Sequence, residues 1–177
     1  MTTTDLETRL TAVEDRLALI DIEGAYGRLY DSRAAEAWAG LFTEDGVYQG
    51  RRLPGMAPSN LVQGRAALAA FCTSEPLSGM HFMHVPHLVI HGDSATGRVH
   101  FQFQATHTDD HRRQQSRSVT GYYDVRYVRT AEGWRIARRV TTYLESTQRT
   151  VHPYEPVPFD LDEPLPDGAF HDARTGA

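Results

Sequence analysis

The stretch Arg98-Val99-His100-Phe101-Gln102-Phe103-Gln104-Ala105-Thr106-His107 puts Val99, Phe101, Phe103, Ala105 and His107 in one set of alternate positions and polar residues in the other. Successive side chains of an extended chain point to opposite faces, so this is a strand with one covered face and one wetted face. It runs over residues 95–107 and places Phe101, Phe103 and His107 on the covered side. Working outward, residues 81–90, 116–129 and 134–144 read as three more strands. Gly92-Asp93 and Glu132-Gly133 supply tight hairpin turns, and the polar residues 109–115 a wider one. Val119, Tyr123, Val125 and Tyr127 share one face of the third strand. Together the four form an antiparallel meander.

The N-terminal half has a different period. Thr4 followed by Glu7 is a capping-box signal, and Leu6, Leu10, Val13, Leu17 and Ile20 then recur at helical spacing. Gly24 and Gly27 weaken the pattern without ending it, so the helix continues, or breaks and resumes, toward Tyr30 and Asp31. Residues 34–41 predict a short second helix carrying Trp38, Val47 and Tyr48 a strand, residues 50–63 a loop, and residues 64–71 a third helix. Beyond Leu144 the chain holds five prolines and no clear period, which reads as an extended tail. The expectation is one α+β domain over residues 1–144 with a proline-rich tail over 145–177. Helices would cover a bent sheet, giving a cone whose open end accepts a small molecule.

Composition narrows the functions. A net charge of -5 and dispersed arginines give no nucleic-acid footprint. No apolar run approaches the roughly 20 residues that cross a bilayer. Lysine is absent from the sequence, which removes Schiff-base chemistry and a phosphate-binding P-loop. The one cysteine, Cys72, cannot form an internal disulfide, and the chain starts as a polar helix; together these predict a cytoplasmic setting. No compact Cys/His set suggests a metal, and no glycine-rich loop an organic cofactor. The apolar first helix and a sheet face left uncovered predict a homo-oligomer, trimer or dimer.

Among residues able to carry chemistry, Asp31 is either a solvated cap of the next helix or half of an acid-base pair. A histidine is the natural partner, because a carboxylate accepting an imidazole N–H fixes the tautomer and stabilises the imidazolium. His81, His84, His87 and His91 all lie on one predicted strand; alternation separates His84 from the other three, and parity alone does not choose. Tyr26, Tyr30 and Tyr48 are core aromatics or pocket phenols. His107 is a satisfied core histidine or a pocket residue.

The order Leu17-Ala18-Leu19-Ile20-Asp21, Tyr30-Asp31-Ser32-Arg33, Trp38, Leu41-Phe42-Thr43-Glu44-Asp45-Gly46, Gly64-Arg65, His81-Phe82, Gly92-Asp93-Ser94-Ala95 and Gly133-Trp134-Arg135-Ile136-Ala137-Arg138-Arg139 resembles the SnoaL-like group of the nuclear-transport-factor-2-like superfamily. Within it the chain looks nearest to the scytalone dehydratase and lindane dehydrochlorinase types. That resemblance implies an aspartate–histidine pair at Asp31 and His81, with His84 as the alternative histidine. It also implies supporting or substrate-binding roles for Tyr26, Tyr30, Tyr48, Phe101, Phe103, His107 and Arg139. Tyr26 stands where the dehydrochlorinase has a lysine, which argues against halide elimination. The implied function is a cofactor-free lyase or isomerase, dehydration favoured, acting on a hydrophobic cyclic or polyketide-like small molecule. The fold also serves polyketide cyclases, noncatalytic ligand-binding domains and small subunits of ring-hydroxylating dioxygenases, so these are the alternatives.

Overall fold

The computed structural model describes residues 3–51, 58–74 and 79–151. The N-terminal segment forms one unbroken helix, α1 (Thr3–Asp31), which already includes Thr4, the residue expected to cap it, and neither Gly24 nor Gly27 interrupts it. Next come α2 (Ala35–Ala39), β1 (Phe42–Arg51), β2 (Pro58–Gln63), α3 (Arg65–Ser74), β3 (Gly79–Met83), β4 (His87–His91), β5 (Ser94–Thr108), β6 (Gln114–Thr130) and β7 (Gly133–Thr150). The described strands form one sheet in the order β2-β1-β7-β6-β5-β3, with β4 also paired to β5. The architecture is α+β, helices against a curved and mostly antiparallel sheet.

Four local expectations change. Residues 81–90 are two strands, because Pro86 has no N–H to give to the ladder; β3 pairs with Phe101 to Ala105, and β4 with Ser94 to Arg98. The last six residues of the expected loop 50–63 pair with β1 as β2. β1 runs parallel to β7, so the sheet is mixed. β7 continues six residues beyond Leu144, and Glu145 to Thr150 pair with β6; this extension is polar and exposed on both faces, so it carries no hydrophobic period to read. The remainder of the expected tail, residues 152–177, lies outside the described residues.

The core gathers Leu19, Trp38, Phe42, Leu68, Tyr127 and Ile136, all fully buried. Leu6, Leu10, Val13 and Leu17, which signal the helix in the sequence, are each more than half exposed. Toward the sheet α1 instead turns Asp15, Leu19, Glu23 and Tyr26. Sheet curvature has a visible source at Gly121, beside a register shift between β6 and β7. A Cβ there would lie 2.3 Å from the Thr142 carbonyl oxygen and 3.0 Å from the Phe101 ring. Only glycine allows that approach, and irregular pairing of this kind bends a strand. No helix among the described residues is long and apolar enough to cross a membrane.

Candidate active site

Asp31 is the last residue of α1, where the partial negative end of the helix dipole disfavours a carboxylate. Two donors from one residue offset that. The His81 backbone N–H donates to Oδ2 at 2.7 Å, and His81 Nδ1 lies 2.6 Å from Oδ1. An ionised carboxylate only accepts, so it assigns the ring proton to Nδ1 and leaves the Nε2 lone pair free to act as a base. The approach depends on Gly27, one helical turn before Asp31: a Cβ there would lie 3.0 Å from Met83 Cγ and 3.3 Å from His81 Cβ. The glycine that weakens the helix in the sequence lets β3 close on α1.

The His81 ring stands against Phe103 at 4.7 Å and meets the Tyr30 ring edge-on at 5.4 Å. It forms part of the wall of a cavity of about 380 Å³, lined also by Tyr26, Tyr48, Phe71, Phe101, Arg117, Val119, Tyr123, Tyr143 and Ser146. That size and aromatic character suit a small organic molecule. Thr141 Oγ1 donates to the Tyr48 hydroxyl at 3.1 Å, so the Tyr48 proton remains available to a ligand. Burial pushes the Tyr48 phenol well above its ordinary pKa, and Tyr123 likewise, which keeps both protonated as donors. Tyr123 stacks on Phe101 at 4.4 Å and completes the wall.

Three of the implied site residues take other places. Arg139 is fully buried behind the cavity rather than lining it. Its guanidinium lies 3.6 Å from the Tyr26 ring centroid and 3.8 Å from that of Tyr123, and donates to both Glu23 oxygens at 2.8 Å. Burial works to discharge it, but the Glu23 carboxylate and the flanking phenols outweigh that and raise its pKa. Tyr127 adds a hydroxyl donation to Glu23 at 2.7 Å. His107 keeps the predicted face of β5 but lies four residues beyond Phe103, about 13 Å along the strand; it pairs with Gln115 and does not line the cavity. His84 is exposed in the break before Pro86, and its backbone N–H donates to the His100 carbonyl. Of the two open histidines, His81 faces Asp31.

Sequence reasoning overlooked Phe71, Arg117, Tyr143 and Ser146 as lining residues, took Val119 and Tyr123 only as sharing a strand face, and missed Glu23 behind them. Arg117 was readable, since it shares strand parity with Val119. Glu23 also left a trace: Asp15, Glu23 and Asp31 recur every eighth residue of α1. Among the described residues, no three His, Cys, Asp or Glu side chains gather as a metal site.

A model of the SnoaL-like domain matches residues 11–140. The chain belongs to the SnoaL-like domain family. A solved NTF2-like protein with a cystatin-like fold from Novosphingobium aromaticivorans is 30% identical, with a TM-score of 0.66 over 81% of this chain and 91% of that one. A type 2 hexachlorocyclohexane dehydrochlorinase, LinA, superposes with a TM-score of 0.67 at 15% identity over 85% of this chain and 97% of its own. A protein provisionally named a scytalone dehydratase from N. aromaticivorans gives 0.62 at 18% identity over 88% and 99%. A beta subunit provisionally assigned to an aromatic-ring-hydroxylating dioxygenase of that organism gives 0.63 at 19% over 75% and 91%. At such identities the last three likenesses concern the fold alone. No curated protein matches the chain in sequence.

Proposed function

We propose that this SnoaL-like protein is a cofactor-independent lyase that dehydrates a hydrophobic cyclic or polyketide-like ketone by acid-base catalysis. The observation that carries the reading is the Asp31–His81 contact, which commits Nδ1 to the carboxylate and leaves Nε2 as the basic nitrogen of a residue in an aromatic cavity wall. Nε2 takes a proton from the carbon next to the substrate carbonyl, and Asp31 stabilises the resulting imidazolium. Tyr48 donates to the carbonyl oxygen as negative charge develops there. The imidazolium then returns its proton to the hydroxyl on the β carbon, the C–O bond breaks, and water leaves. His107, placed away from the cavity, has no part in this sequence. Tyr26, standing where the dehydrochlorinase type has lysine, favours loss of water over loss of halide.

Proton abstraction can be read without the natural substrate, using deuteration of 2-tetralone next to its carbonyl in D₂O, followed by NMR. Wild-type protein should accelerate the exchange, and His81→Ala should lower the rate by at least about a hundredfold, the lower end of a general base's contribution. Cyclic β-hydroxy ketones should lose the mass of water with the same dependence on His81. Exchange indifferent to His81, or none at all with any ketone of this class, would leave a binding domain in its place.

A further inference from the structure

We infer that the substrate carries a carboxylate, and that Arg117 at the cavity wall is the residue that selects it. Apart from His81, Arg117 is the one basic side chain among the described lining residues of an otherwise aromatic and hydroxyl-bearing cavity. Four other arginines of the sheet illustrate the alternative fate, while Arg126, Arg138 and Arg149, which also lack an acidic partner among the described residues, do not line this cavity. Arg98 pairs with Asp124, Arg129 with Asp15 and Asp93, Arg135 with Glu132, and Arg139 with Glu23. Arg117 has no hydrogen bond or ion pair with any described residue, and its neighbours across the ladder are Ala105 and Gln148, neither of them acidic. A guanidinium left without a partner beside a cavity is a ready partner for a planar carboxylate, which it can grip through two parallel N–H donors.

Its position relative to His81 gives the ligand an orientation. His81, Phe103 and Val119 lie in one row across β3, β5 and β6, and Arg117 is one side-chain period along β6 from Val119 on the same face. Two strand spacings across and two residues along separate the backbones of His81 and Arg117 by about 12 Å. Between the two side chains there is room for a ring system, with the aromatic walls covering its faces. The carboxylate end would sit at Arg117 and Ser146, and the carbon that loses its proton at His81. This inference rests on the cavity being the substrate site proposed above, but it is tested by binding rather than turnover.

The probes are 2-naphthoate and its neutral analogue 2-naphthamide, titrated calorimetrically into the wild-type protein, Arg117→Met and His81→Ala. Naphthoate should bind the wild type about tenfold or more tightly than naphthamide, the difference a charge-assisted pair makes. Arg117→Met should erase that preference while leaving naphthamide affinity and the melting temperature unchanged, because the side chain is exposed at the rim. His81→Ala should retain it. Equal binding of the two probes, no binding of either at millimolar concentration, or a preference that survives Arg117→Met would overturn the assignment. Loss of the preference in His81→Ala would also overturn it, by moving the anion to the histidine. A wild type that prefers naphthoate but exchanges neither 2-tetralone nor a cyclic ketone bearing a carboxylate would refute the lyase reading and leave the carboxylate site standing.

Discussion

Glu23 and Asp31 lie eight residues apart on one helix, and each meets a basic residue presented by the sheet, yet the two pairs have opposite surroundings. Glu23 and Arg139 are sealed: their side chains are 2% and 0% exposed, with Tyr127 and two phenol rings closing the remaining directions. Asp31 and His81 keep 17% and 9% exposure, and the histidine borders a cavity. A guanidinium holds its charge at every accessible pH and cannot trade a proton; an imidazole can. The first pair therefore anchors the cavity's rear wall, and the second is equipped to react at its front. Asp15, eight residues before Glu23, repeats the device near the surface with Arg129 and the Trp134 indole.

The comparison breaks most visibly if the sealed pair is halved. Arg139→Met should destabilise the protein by about 3–5 kcal/mol in urea unfolding, since it leaves Glu23 buried without a counter-charge. Replacing both as Glu23→Leu with Arg139→Met should recover much of that loss, because the desolvation cost disappears with the charges. His81→Ala, by contrast, should change unfolding far less while removing the exchange activity. Equal stability losses from the two pairs would erase the distinction.

A smaller effect sharpens the front pair alone. Gly27→Val would press a branched side chain onto Met83 and His81, costing about 1–3 kcal/mol of overpacking. It should also slow ketone exchange by displacing His81 from Asp31, whereas the same change at Gly24, where a Cβ meets nothing within 4 Å, should not slow it. Parallel kinetics and unfolding of the two variants check this.

The outermost pair predicts a pH dependence. The Arg129 hydrogen bond, joined by the Trp134 N–H, holds the Asp15 carboxyl below its ordinary pKa against the opposing effect of burial. Its unfolded counterpart titrates near pH 3.9, so the stabilisation is complete above about pH 4 and is lost as pH falls through the lower folded value. Asp15→Asn should lower stability at neutral pH and flatten the acid limb of the unfolding profile; an unchanged limb would remove Asp15 from the series.

Assembly is the smallest of these effects on the site. Leu6, Leu10, Val13 and Leu17 follow a four-three-four spacing, that of a helix seam, and leave apolar surface exposed. We propose self-association as a dimer or trimer, to be reduced to monomer by Leu10→Glu with Leu17→Glu in light scattering. A monomeric wild type at micromolar concentration would contradict it.

Much of the architecture was legible because alternation in β5 and β6 is strict and the turns carry their own residues. What escaped had physical reasons. Pro86 divides a strand without disturbing its apolar run, the far end of β7 is polar on both faces, and parallel pairing of β1 with β7 leaves no local mark. At the site, Asp31 and His81 were readable through the family pattern, whereas strand parity alone did not separate His81 from His84. His107 was placed on its face by alternation and Arg139 was named through the family pattern, but neither reading says which side chains reach a cavity. Depth behind Tyr26 and distance along β5 are tertiary facts.

The central claim is that Asp31 sets the His81 tautomer, and ¹⁵N-histidine NMR reads it directly under alkaline conditions where the imidazole is neutral. The wild type should show His81 protonated at Nδ1 and bare at Nε2. In Asp31→Asn the amide can present its N–H to Nδ1 and move the proton to Nε2, reversing the two signals and abolishing 2-tetralone exchange. A wild-type His81 protonated at Nε2, or a tautomer indifferent to Asp31→Asn, would contradict the account.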